Sequence, residues 1–517
     1  MLLINPPVTK PSEAPAGIAK LAGSLRRHGC SCDIIDANVE GLLDLLGQSP
    51  VVENTWTKRA LRNRESNLKY LRQWRLYENI DRYRRTVKDL NRLLDELSRP
   101  FDTHVSLGNF QHHAQSPLRS DDLIDAADHP EKNPFSPYFE KRLAGALEKT
   151  TPAFLGFSLN YLSQALTTFA MIGIVRRLVP SVPVILGGGL VTSWLSNPLW
   201  SNPFSGYVDK LIAGPGEETL VNLAGLSLDN DLISSDYTDF KTVEYLSPGF
   251  ILPYSASWGC YWNRCSFCPE RAEGTVYAAR PVDEIASELE SLITTTKPFL
   301  VHFVDNAMSP ALLNYLATVP LGVPWYGFAR VTEKLADEGF CMDLKRSGCV
   351  MLKLGIESGD QGVLDALQKG IKLATASNAL KQLRKAGIAS YVYLLFGTPP
   401  ESYEEARRTM EFVVDHRDDI SFLNVAIFNM PAYGPDTAWL QTDEFYPGDL
   451  SLYRRFKHPK GWERSLVRQF LDREFKRNSA IAVILNRDPP IFTSNHAPFF
   501  ALATQGSFKS AAVPSQV

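Results

Sequence analysis

Three cysteines fall within nine residues of this 517-residue chain, at Cys260, Cys265 and Cys268, with the spacing C-x4-C-x2-C. Thiolates this close together are typical ligands of a metal ion or an iron–sulfur cluster. An apolar run over residues 250–257 leads into them and predicts a strand that presents the loop. A closed [4Fe–4S] cluster takes four cysteines and only three are local, so one iron would stay open for a substrate or cofactor.

Two other interpretations of these three cysteines are weaker. A structural zinc site needs a fourth ligand, and no histidine or further cysteine lies nearby in the sequence. The other is that all three are unligated, buried thiols. The four remaining cysteines are scattered, and an odd total of seven argues against a disulfide framework. We expect these four to be small buried hydrophobic residues; they are Cys30, Cys32, Cys341 and Cys349.

The segment 259–268, Gly-Cys-Tyr-Trp-Asn-Arg-Cys-Ser-Phe-Cys, resembles the signature of the radical S-adenosylmethionine (SAM) superfamily. That signature is C-x3-C-x2-C with an aromatic residue before the last cysteine, which here is Phe267. The first gap is one residue longer in this chain, and this form is similar to a variant of the cobalamin-binding branch. The resemblance implies that the three cysteines are catalytic, that they hold a [4Fe–4S] cluster, and that the open iron binds SAM.

The pattern over residues 251–435 alternates strands with helices six times, which predicts a parallel, partial (β/α)6 barrel. Polar residues follow several of the predicted strands, and catalytic groups in such barrels lie at the carboxyl ends of strands. Several of these positions resemble SAM-binding positions of the superfamily. We expect cofactor binding at Phe267, Asp305, Asn306, Arg330, Glu357, Ser358 and Gly397. The alternative for Glu357 and Arg330 is a structural ion pair.

Strand–helix–strand units also occupy residues 1–45 and 150–225, and they predict a doubly wound, Rossmann-like α/β domain over 1–228. This domain resembles the cobalamin (B12)-binding-type domain that precedes the barrel in that branch. The resemblance implies a cobalamin site that includes the glycine run Gly187, Gly188 and Gly189. The Asp-x-His-x-x-Gly motif that supplies an axial histidine in other cobalamin proteins is absent. The alternative is a domain that only covers the barrel or binds substrate.

Three further segments complete the predicted organisation. A helical insertion with a basic outer face interrupts the first domain at about 50–150, and within it we predict an irregular loop over residues 100–137. A polar linker covers 229–250. Residues 436–517 are predicted as a helical extension that caps the barrel and ends in a disordered tail. Its candidates for substrate contact, together with the barrel's last loop, are Tyr433, His458 and His496.

Composition limits the class of partner. The net charge of −3 gives no electrostatic case for nucleic acid, and no apolar run reaches the length of a membrane span. Together with these limits, the resemblance to the superfamily implies a cytoplasmic radical SAM enzyme. The expected reaction is cobalamin-dependent methyl transfer to an unactivated carbon or phosphorus of a small-molecule or peptide substrate. The expected electron donor resembles flavodoxin or ferredoxin. Alternatives are a cobalamin-independent enzyme for aminocarboxypropyl transfer, rearrangement or cyclisation, and a non-catalytic iron–sulfur sensor.

Overall fold

The computed structural model describes residues 1–51, 54–149, 151–229, 233–489 and 496–501. The chain divides into two compact units of similar size. The first comprises Met1–Phe250 with Tyr446–Leu452, and the second comprises Ile251–Phe445 with Tyr453–Val517. No helix in the described ranges is long and apolar enough to cross a membrane.

The first unit is built on a five-stranded parallel sheet. Its elements in chain order are β1 (Leu2–Ile4), α1 (Ala16–Arg27), β2 (Asp33–Ile35), α2 (Ala37–Gly47), α3 (Thr55–Arg62), α4 (Arg64–Leu71), α5 (Ile80–Ser98), β3 (Thr103–Ser106), β4 (Asn109–His112), α6 (Ser120–Asp128), α7 (Ser136–Leu147), β5 (Leu155–Ser158), α8 (Leu162–Leu178), β6 (Val184–Gly187), α9 (Gly189–Leu195), β7 (Lys210–Leu211) and α10 (Glu217–Leu223). The sheet order is β2-β1-β5-β6-β7, which is the 2-1-3-4-5 order of doubly wound folds. The predicted α/β class is confirmed.

The insertion between β2 and β5 is more ordered than we predicted. Residues 100–137 form the antiparallel hairpin β3–β4 and helix α6, where we had expected an irregular loop. Val105, Phe110 and Leu123 are buried there, although they are isolated among polar residues in the sequence. Sparse apolar residues give no clear period, so packing against α5 and α8 decides the structure of this segment.

The segment predicted as a polar linker, 229–250, packs onto the first unit where it is described. Tyr237, Phe240 and Tyr245 are buried, and the hydroxyl of Tyr245 donates to Asp36 Oδ2 at 2.6 Å. Arg26 of α1 pairs with Asp236 at 2.7 Å. Polar residues of this predicted linker therefore pair with charged partners on the first unit.

The second unit contains a six-stranded parallel sheet in the order β15-β14-β13-β12-β11-β8. Its elements are β8 (Ile251–Tyr254), β9 (Ser257–Trp258), α11 (Pro269–Ala272), β10 (Ala278–Ala279), α12 (Val282–Thr296), β11 (Leu300–Phe303), α13 (Pro310–Thr318), β12 (Trp325–Ala329), α14 (Glu338–Arg346), β13 (Cys349–Glu357), α15 (Gln361–Ala366), α16 (Leu373–Lys385), β14 (Ala389–Phe396), α17 (Tyr403–Asp415), β15 (Phe422–Ile427), β16 (Met430–Pro431), β17 (Thr442–Glu444), β18 (Tyr453–Phe456), α18 (Arg464–Phe470) and α19 (Ser479–Leu485). The central strand β13 is buried along nearly its whole length, as expected of a parallel strand covered on both faces.

The C-terminal extension is partly a sheet. β16, β18 and β17 form a small antiparallel sheet, and the helices α18 and α19 follow. Ala497 and Ala501 belong to a cluster of buried residues that includes Ile251, Tyr326 and Tyr391, near the amino ends of the barrel strands. The predicted disordered tail, 504–517, lies outside the described residues.

Candidate active site

The cysteine loop leaves the carboxyl end of β8 and is closed at its base by the short antiparallel ribbon β9–β10. Asp305, just after β11, holds the start of this loop. Its carboxylate accepts from the amide of Ala256 at 3.1 Å and from the hydroxyl of Ser257 at 2.5 Å. Burial raises the pKa of this carboxyl. The contacts give Asp305 the position of a loop anchor at the carboxyl edge of the barrel.

The three thiols differ in their surroundings. Cys265 is buried, whereas Cys260 and Cys268 are partly exposed. Burial raises the pKa of Cys268 to about 11, and it also raises the pKa of Cys265 against the opposing charges of Lys369 and Arg330. No three His, Cys, Asp or Glu side chains in the described ranges are arranged to hold a single metal ion. A [4Fe–4S] cluster spreads its ligands over several iron atoms, so its thiols need not meet at one point.

Arg330, which follows β12, places its guanidinium beside the cysteine loop. Its Nη1 lies 3.9 Å from the sulfur of Cys265, and its Nη2 donates to the backbone carbonyl of Lys369. Its guanidinium stacks over the ring of Trp262 at 4.3 Å. Trp262 in turn donates from Nε1 to the carbonyl of Gln368 at 2.9 Å. Arg330 therefore joins the cysteine loop to the segment that follows α15.

Glu357, at the end of β13, pairs with Lys369 rather than with Arg330. The two groups are 2.8 Å apart, and both side chains are about nine-tenths buried. Lys369 Nζ also lies 5.6 Å from the ring of Phe267. Glu357 has φ +69°, a left-handed conformation that a side chain rarely adopts and that marks functional positions. A Cβ at Gly355 would lie 2.4 Å from Glu357 Oε1, so a side chain there would displace the Glu357 carboxylate from its present position.

The other predicted cofactor residues occupy different surroundings. Asn306 is exposed beside Asp305. Ser358 is fully buried and shares a hydrogen bond of 3.1 Å with Thr409 of α17. Gly397 has φ +78° in the turn after β14. The structure thus gathers Phe267, Glu357 and Arg330 around the cysteine loop, whereas Ser358 contacts a helix.

The turn after β14 is held by the C-terminal extension. Glu401 is fully buried; its Oε2 accepts from the amide of Gly397 and from Trp462 Nε1, the latter at 3.0 Å. His458 Nε2 lies 3.0 Å from the carbonyl oxygen of Thr398. Burial raises the pKa of Glu401 to about 8. The C-terminal extension therefore holds the turn that contains Gly397.

A cavity of about 290 Å³ lies beside the cysteine loop and this turn. Residues of four segments line it, and Arg271 is its one cationic lining residue. The lining residues are Ser266, Arg271, Ala366, Gln368, Pro399, Pro400 and Trp439. Ser266, which lies between Cys265 and Phe267 in the sequence, is one of these lining residues.

In the first unit, the predicted glycine run lies at the carboxyl end of β6. Gly188 has φ +111°, and a Cβ there would lie 2.4 Å from the carbonyl oxygen of Leu159. Gly189 is exposed, and a Cβ there would touch nothing closer than 3.7 Å. Its small size is therefore not required by internal packing. Tyr161, with 58% of its surface exposed, follows the neighbouring strand β5.

Three residues that shape these sites were not predicted from the sequence. Trp262 stacks on Arg330, Lys369 pairs with Glu357, and Glu401 organises the turn after β14. The sequence does show a Lys-Gly pair shortly after Glu357, and this pair could have pointed to Lys369. Trp462 and Glu401 are 61 residues apart, so no local pattern could pair them. Of the suggested substrate contacts, His458 serves the turn and His496 stacks on Tyr391 at the other end of the barrel.

A barrel of this topology, with a three-cysteine loop at the carboxyl end of its first strand, defines the class of the second unit. Residues 257–413 match the family described as the radical SAM superfamily. The match lies within the second unit and includes the three-cysteine loop.

Several characterised proteins are similar to parts of this chain. The anaerobic magnesium-protoporphyrin IX monomethyl ester cyclase of Cereibacter sphaeroides is 24% identical over 299 residues, 48% of this chain and 47% of that protein. The bacteriochlorophyllide d C-12(1)-methyltransferase of Chlorobaculum tepidum is 26% identical over 251 residues, 45% of this chain and 53% of that protein. The chain thus spans about half the length of the curated relatives it matches.

Two solved structures share the fold. One is the radical SAM methyltransferase TsrM from Kitasatospora setae with cobalamin and a [4Fe–4S] cluster, at 16% identity and a TM-score of 0.51, covering 84% of this chain and 73% of that one. The other is the cobalamin-dependent radical SAM enzyme OxsB with aqua-cobalamin, at 12% identity and a TM-score of 0.52, covering 99% of this chain and 61% of that one. At these identities the likeness concerns the fold.

Proposed function

We propose that this chain is a cobalamin-dependent radical SAM methyltransferase that modifies an unactivated carbon or phosphorus of a small-molecule or peptide substrate. In this proposal Cys260, Cys265 and Cys268 hold a [4Fe–4S] cluster whose open iron binds SAM. The observation that carries it is the arrangement of Arg330, Glu357 and Lys369 around the cysteine loop. These groups lie at the carboxyl edge of the barrel, where the chemistry of such folds is located.

The residues of the loop fit an iron–sulfur cluster by the chemistry of the donor set. Three thiols are available, and cations lie beside the most buried of them. When bound, the cluster supplies the electron that splits SAM into methionine and a 5′-deoxyadenosyl radical. Arg330 Nη1 donates toward the Cys265 sulfur. Hydrogen bonds to the sulfurs of an iron–sulfur cluster raise the reduction potential of that cluster.

The remaining residues orient SAM and exclude water. Glu357, held by Lys369, is placed to accept a hydrogen bond from a ribose hydroxyl or from the amino group of SAM. The turn 396–399 backs the adenine, and Glu401 with Trp462 keeps that turn rigid. Phe267 and Trp262 shield the loop with their rings. Asp305 keeps the loop attached to the barrel edge.

Cobalamin is proposed for the carboxyl edge of the first sheet. The 2-1-3-4-5 strand order has its switch point between β1 and β5, where doubly wound folds bind cofactors. Gly189 is exposed, and internal packing does not require a glycine there, so its lack of a side chain leaves space at the carboxyl end of β6. Tyr161, which follows β5, has an exposed ring. These residues fit a large flat cofactor. When bound, cobalamin would carry the methyl group, and a one-electron donor such as flavodoxin or ferredoxin would supply reducing equivalents.

The direct test is chromatography of SAM products after anaerobic reconstitution with iron, sulfide and a strong reductant. We expect 5′-deoxyadenosine together with S-adenosylhomocysteine, in the presence of cobalamin and substrate extract. Methylthioadenosine in their place would overturn methyl transfer. An intact cluster with no SAM cleavage in the presence of extract would support a non-catalytic sensor.

Cluster ligation is tested by the double variant Cys260→Ala, Cys265→Ala. We expect loss of the broad visible absorbance and of nearly all bound iron after reconstitution. Cys30→Ala is the matched control, because that thiol lies in the other unit. Retention of iron in the double variant would remove the cluster assignment.

Cobalamin binding is tested by anaerobic gel filtration with hydroxocobalamin. We expect a coloured protein peak, which Gly189→Leu should abolish by filling the open edge. Gly145→Leu is the control, since a Cβ at Gly145 meets no neighbour within 4 Å and this glycine lies on α7, away from the carboxyl end of β6. A colourless peak from the unmodified chain would contradict cobalamin binding.

A second candidate keeps the cluster without a methyl-carrying cobalamin. The similarity to the anaerobic magnesium-protoporphyrin IX monomethyl ester cyclase favours ring closure as its reaction. Aminocarboxypropyl transfer and rearrangement belong to the same alternative. 5′-Deoxyadenosine without S-adenosylhomocysteine would favour ring closure or rearrangement over methyl transfer, whereas methylthioadenosine would favour aminocarboxypropyl transfer.

A further inference from the structure

The helices inserted between β2 and β5 carry a concentration of positive charge. Residues 54–99 contain thirteen lysines and arginines but only six aspartates and glutamates, although the whole chain has a net charge of −3. The rest of the chain therefore has an excess of acids, and this segment is the basic region of the first unit. A charge asymmetry of this kind favours association with an anionic partner.

Helix α5 packs its apolar side inward and presents a row of cations to the solvent. Between positions 82 and 92 only four residues of this helix are exposed, and all four are cations. They follow one another at intervals of three or four residues, which places them along one side of the helix. At about 1.5 Å per residue the row is roughly 15 Å long. Its members are Arg82, Arg85, Lys88 and Arg92.

Acidic neighbours do not neutralise this charge. Three partly buried arginines of the segment are paired, namely Arg59 with Asp89, Arg72 with Glu244 and Arg84 with Asp81. Eight of the nine exposed cations form no ion pair with any residue that the structure describes; they are Lys58, Arg62, Lys69, Arg75, Arg82, Arg85, Lys88 and Arg92. The exposed acids of the segment are Glu65, Glu78 and Asp81. The exposed side of these helices is therefore strongly positive.

An exposed tryptophan lies beside the second half of the cation row. Trp56 of α3 has 57% of its surface exposed. The guanidinium of Arg59 lies 4.7 Å from the centre of its ring, and Arg59 pairs with Asp89 of α5 at 2.8 Å. Asp89 follows Lys88 directly in the sequence. Trp56 is therefore held next to the row by a contact between α3 and α5.

A second exposed tryptophan lies near the start of the row. Trp74, with 47% of its surface exposed, opens the short helical turn Trp74–Glu78 that follows α4. This turn packs against both α4 and α5. Tyr70, four residues earlier, lies under Arg82 with 4.2 Å between the guanidinium and the ring centre. Both ends of the row thus have an exposed indole nearby.

This combination of groups fits an anionic membrane surface better than it fits a nucleic acid. Tryptophan is favoured at the depth of the lipid headgroups, and adjacent lysines and arginines are attracted to acidic lipids. Single-stranded nucleic acids need free ring faces on which bases stack. One face of Trp56 and one face of Tyr70 are already covered by guanidinium groups. The exposed indole edges remain for contact with lipid.

We propose that this basic face, formed by Trp56, Trp74 and the eight unpaired cations, docks on the surface of an anionic phospholipid membrane. The cations contact the lipid phosphates, and the two indoles lie at the depth of the headgroups. All of these residues belong to the first unit. The inference therefore concerns where the enzyme is held and does not depend on the proposed reaction.

Co-sedimentation of the reconstituted full chain with two kinds of vesicle tests the electrostatic part. One kind contains equal parts of phosphatidylglycerol and phosphatidylcholine, and the other contains phosphatidylcholine alone. We expect at least about tenfold tighter binding to the anionic vesicles, because several cations act together. Added salt should weaken that binding through screening. The triple variant Arg85→Glu, Lys88→Glu, Arg92→Glu should lower the affinity for anionic vesicles about tenfold or more.

A matched variant separates the position of the charges from their number. Lys372→Glu, Lys381→Glu, Lys385→Glu changes the net charge by the same amount, at exposed positions of α16 and its start in the second unit. This variant should keep the affinity of the unmodified chain. Glutamate is a good helix former, so both triple variants should keep their far-UV circular dichroism. Equal losses of vesicle binding in the two variants would overturn the proposed face.

Fluorescence quenching by anionic vesicles with brominated acyl chains tests the depth of the indoles. We expect quenching of the unmodified chain and loss of most of it in Trp56→Ser, Trp74→Ser. Trp258 and Trp439, which are exposed in the second unit, remain in this variant and serve as internal controls. Undiminished quenching in the double variant would overturn the placement of these two indoles in the membrane.

Other outcomes would assign the basic face differently. Equal affinity of the unmodified chain for the two kinds of vesicle, or binding to neither at millimolar lipid, overturns the proposal. Binding to a single-stranded oligonucleotide that the triple variant of α5 loses, without binding to vesicles, would assign the face to a nucleic acid and overturn it as well. Failure of SAM cleavage leaves all of these binding measurements unaffected, so the two proposals are tested separately.

Discussion

Lys369 Nζ lies 2.8 Å from Glu357 Oε1, and this buried pair joins the end of β13 to the segment that packs on the cysteine loop. The carbonyl oxygen of the same lysine accepts from Arg330, whose guanidinium lies beside Cys265. One residue therefore positions both an acid and a cation of the proposed SAM site. Neither contact is local in sequence, since 12 and 39 residues separate the partners.

Lys369→Met should weaken SAM binding about tenfold or more, because it leaves Glu357 buried without its cation. Breaking one side of a buried pair costs about 3–5 kcal/mol in typical cases. The measurement is equilibrium binding of SAM to the reconstituted protein. Lys385→Met is the control, because its pair with Glu338 is more than half exposed and worth little. Unchanged SAM affinity in Lys369→Met would show that the pair does not shape the site.

Gly370→Ala should disrupt the cysteine loop, because a Cβ there would lie 2.0 Å from the ring of Trp262. Gly387→Ala is a matched control: both glycines have φ +68°, but the nearest atom to a Cβ at Gly387 is 3.8 Å away. Both variants carry the backbone strain of about 1 kcal/mol, and only the first carries the clash. We expect Gly370→Ala to bind less iron on reconstitution. Equal iron content in the two variants would contradict the packing role of Trp262.

Glu401→Gln should be more stable than the unmodified chain, and this difference in unfolding free energy should grow as pH rises from 5 to 8. Burial raises the pKa of Glu401 from about 4.5 to about 8. Between these values the unfolded chain is ionised and the folded chain keeps the proton, so stability falls with increasing pH. Glutamine keeps an oxygen for Gly397 and Trp462 and removes this loss, which reaches at most about 1.4 kcal/mol per pH unit.

Urea denaturation of the unmodified chain and of Glu401→Gln at pH 5, 6.5 and 8 measures this effect. The difference in unfolding free energy should grow across the series and become constant above pH 8. A difference that stays constant from pH 5 to 8 would mean that Glu401 is ionised in the folded protein.

Tyr245→Phe should destabilise the first unit by about 1–3 kcal/mol, the usual cost of a lost buried hydrogen bond. The hydroxyl donates to Asp36, whose pKa is raised by burial to about 6. Urea denaturation at pH 7 provides the measurement. Tyr207→Phe removes a similar bond, to Asp128, at an exposed position, and it should cost less. Equal effects would indicate that residues 233–250 are not an integral part of the unit.

The prediction of the barrel from sequence succeeded because its central strands are long and each ends at, or just before, a charged residue or a glycine. β13 is a nine-residue buried run that ends in Glu357, and β14 is an eight-residue run before Gly397. The insertion was predicted less well. The hairpin β3–β4 has only four residues per strand, and its stability comes from contacts with α5 and α8. A short strand without a regular apolar period carries too little local information.

The sequence by itself determined the three-cysteine loop, the strand ends that surround it and the superfamily to which they point. The spacing of cysteines and the periodicity of apolar residues are local properties of the sequence, so they can be recognised without a structure. Only the tertiary structure decided that Glu357 pairs with Lys369, that Trp462 holds Glu401, and that Lys353 meets His302 inside the barrel. These partners lie on different elements and are separated by 12 to 61 residues. Their contacts arise from the closing of the barrel, which no local pattern encodes.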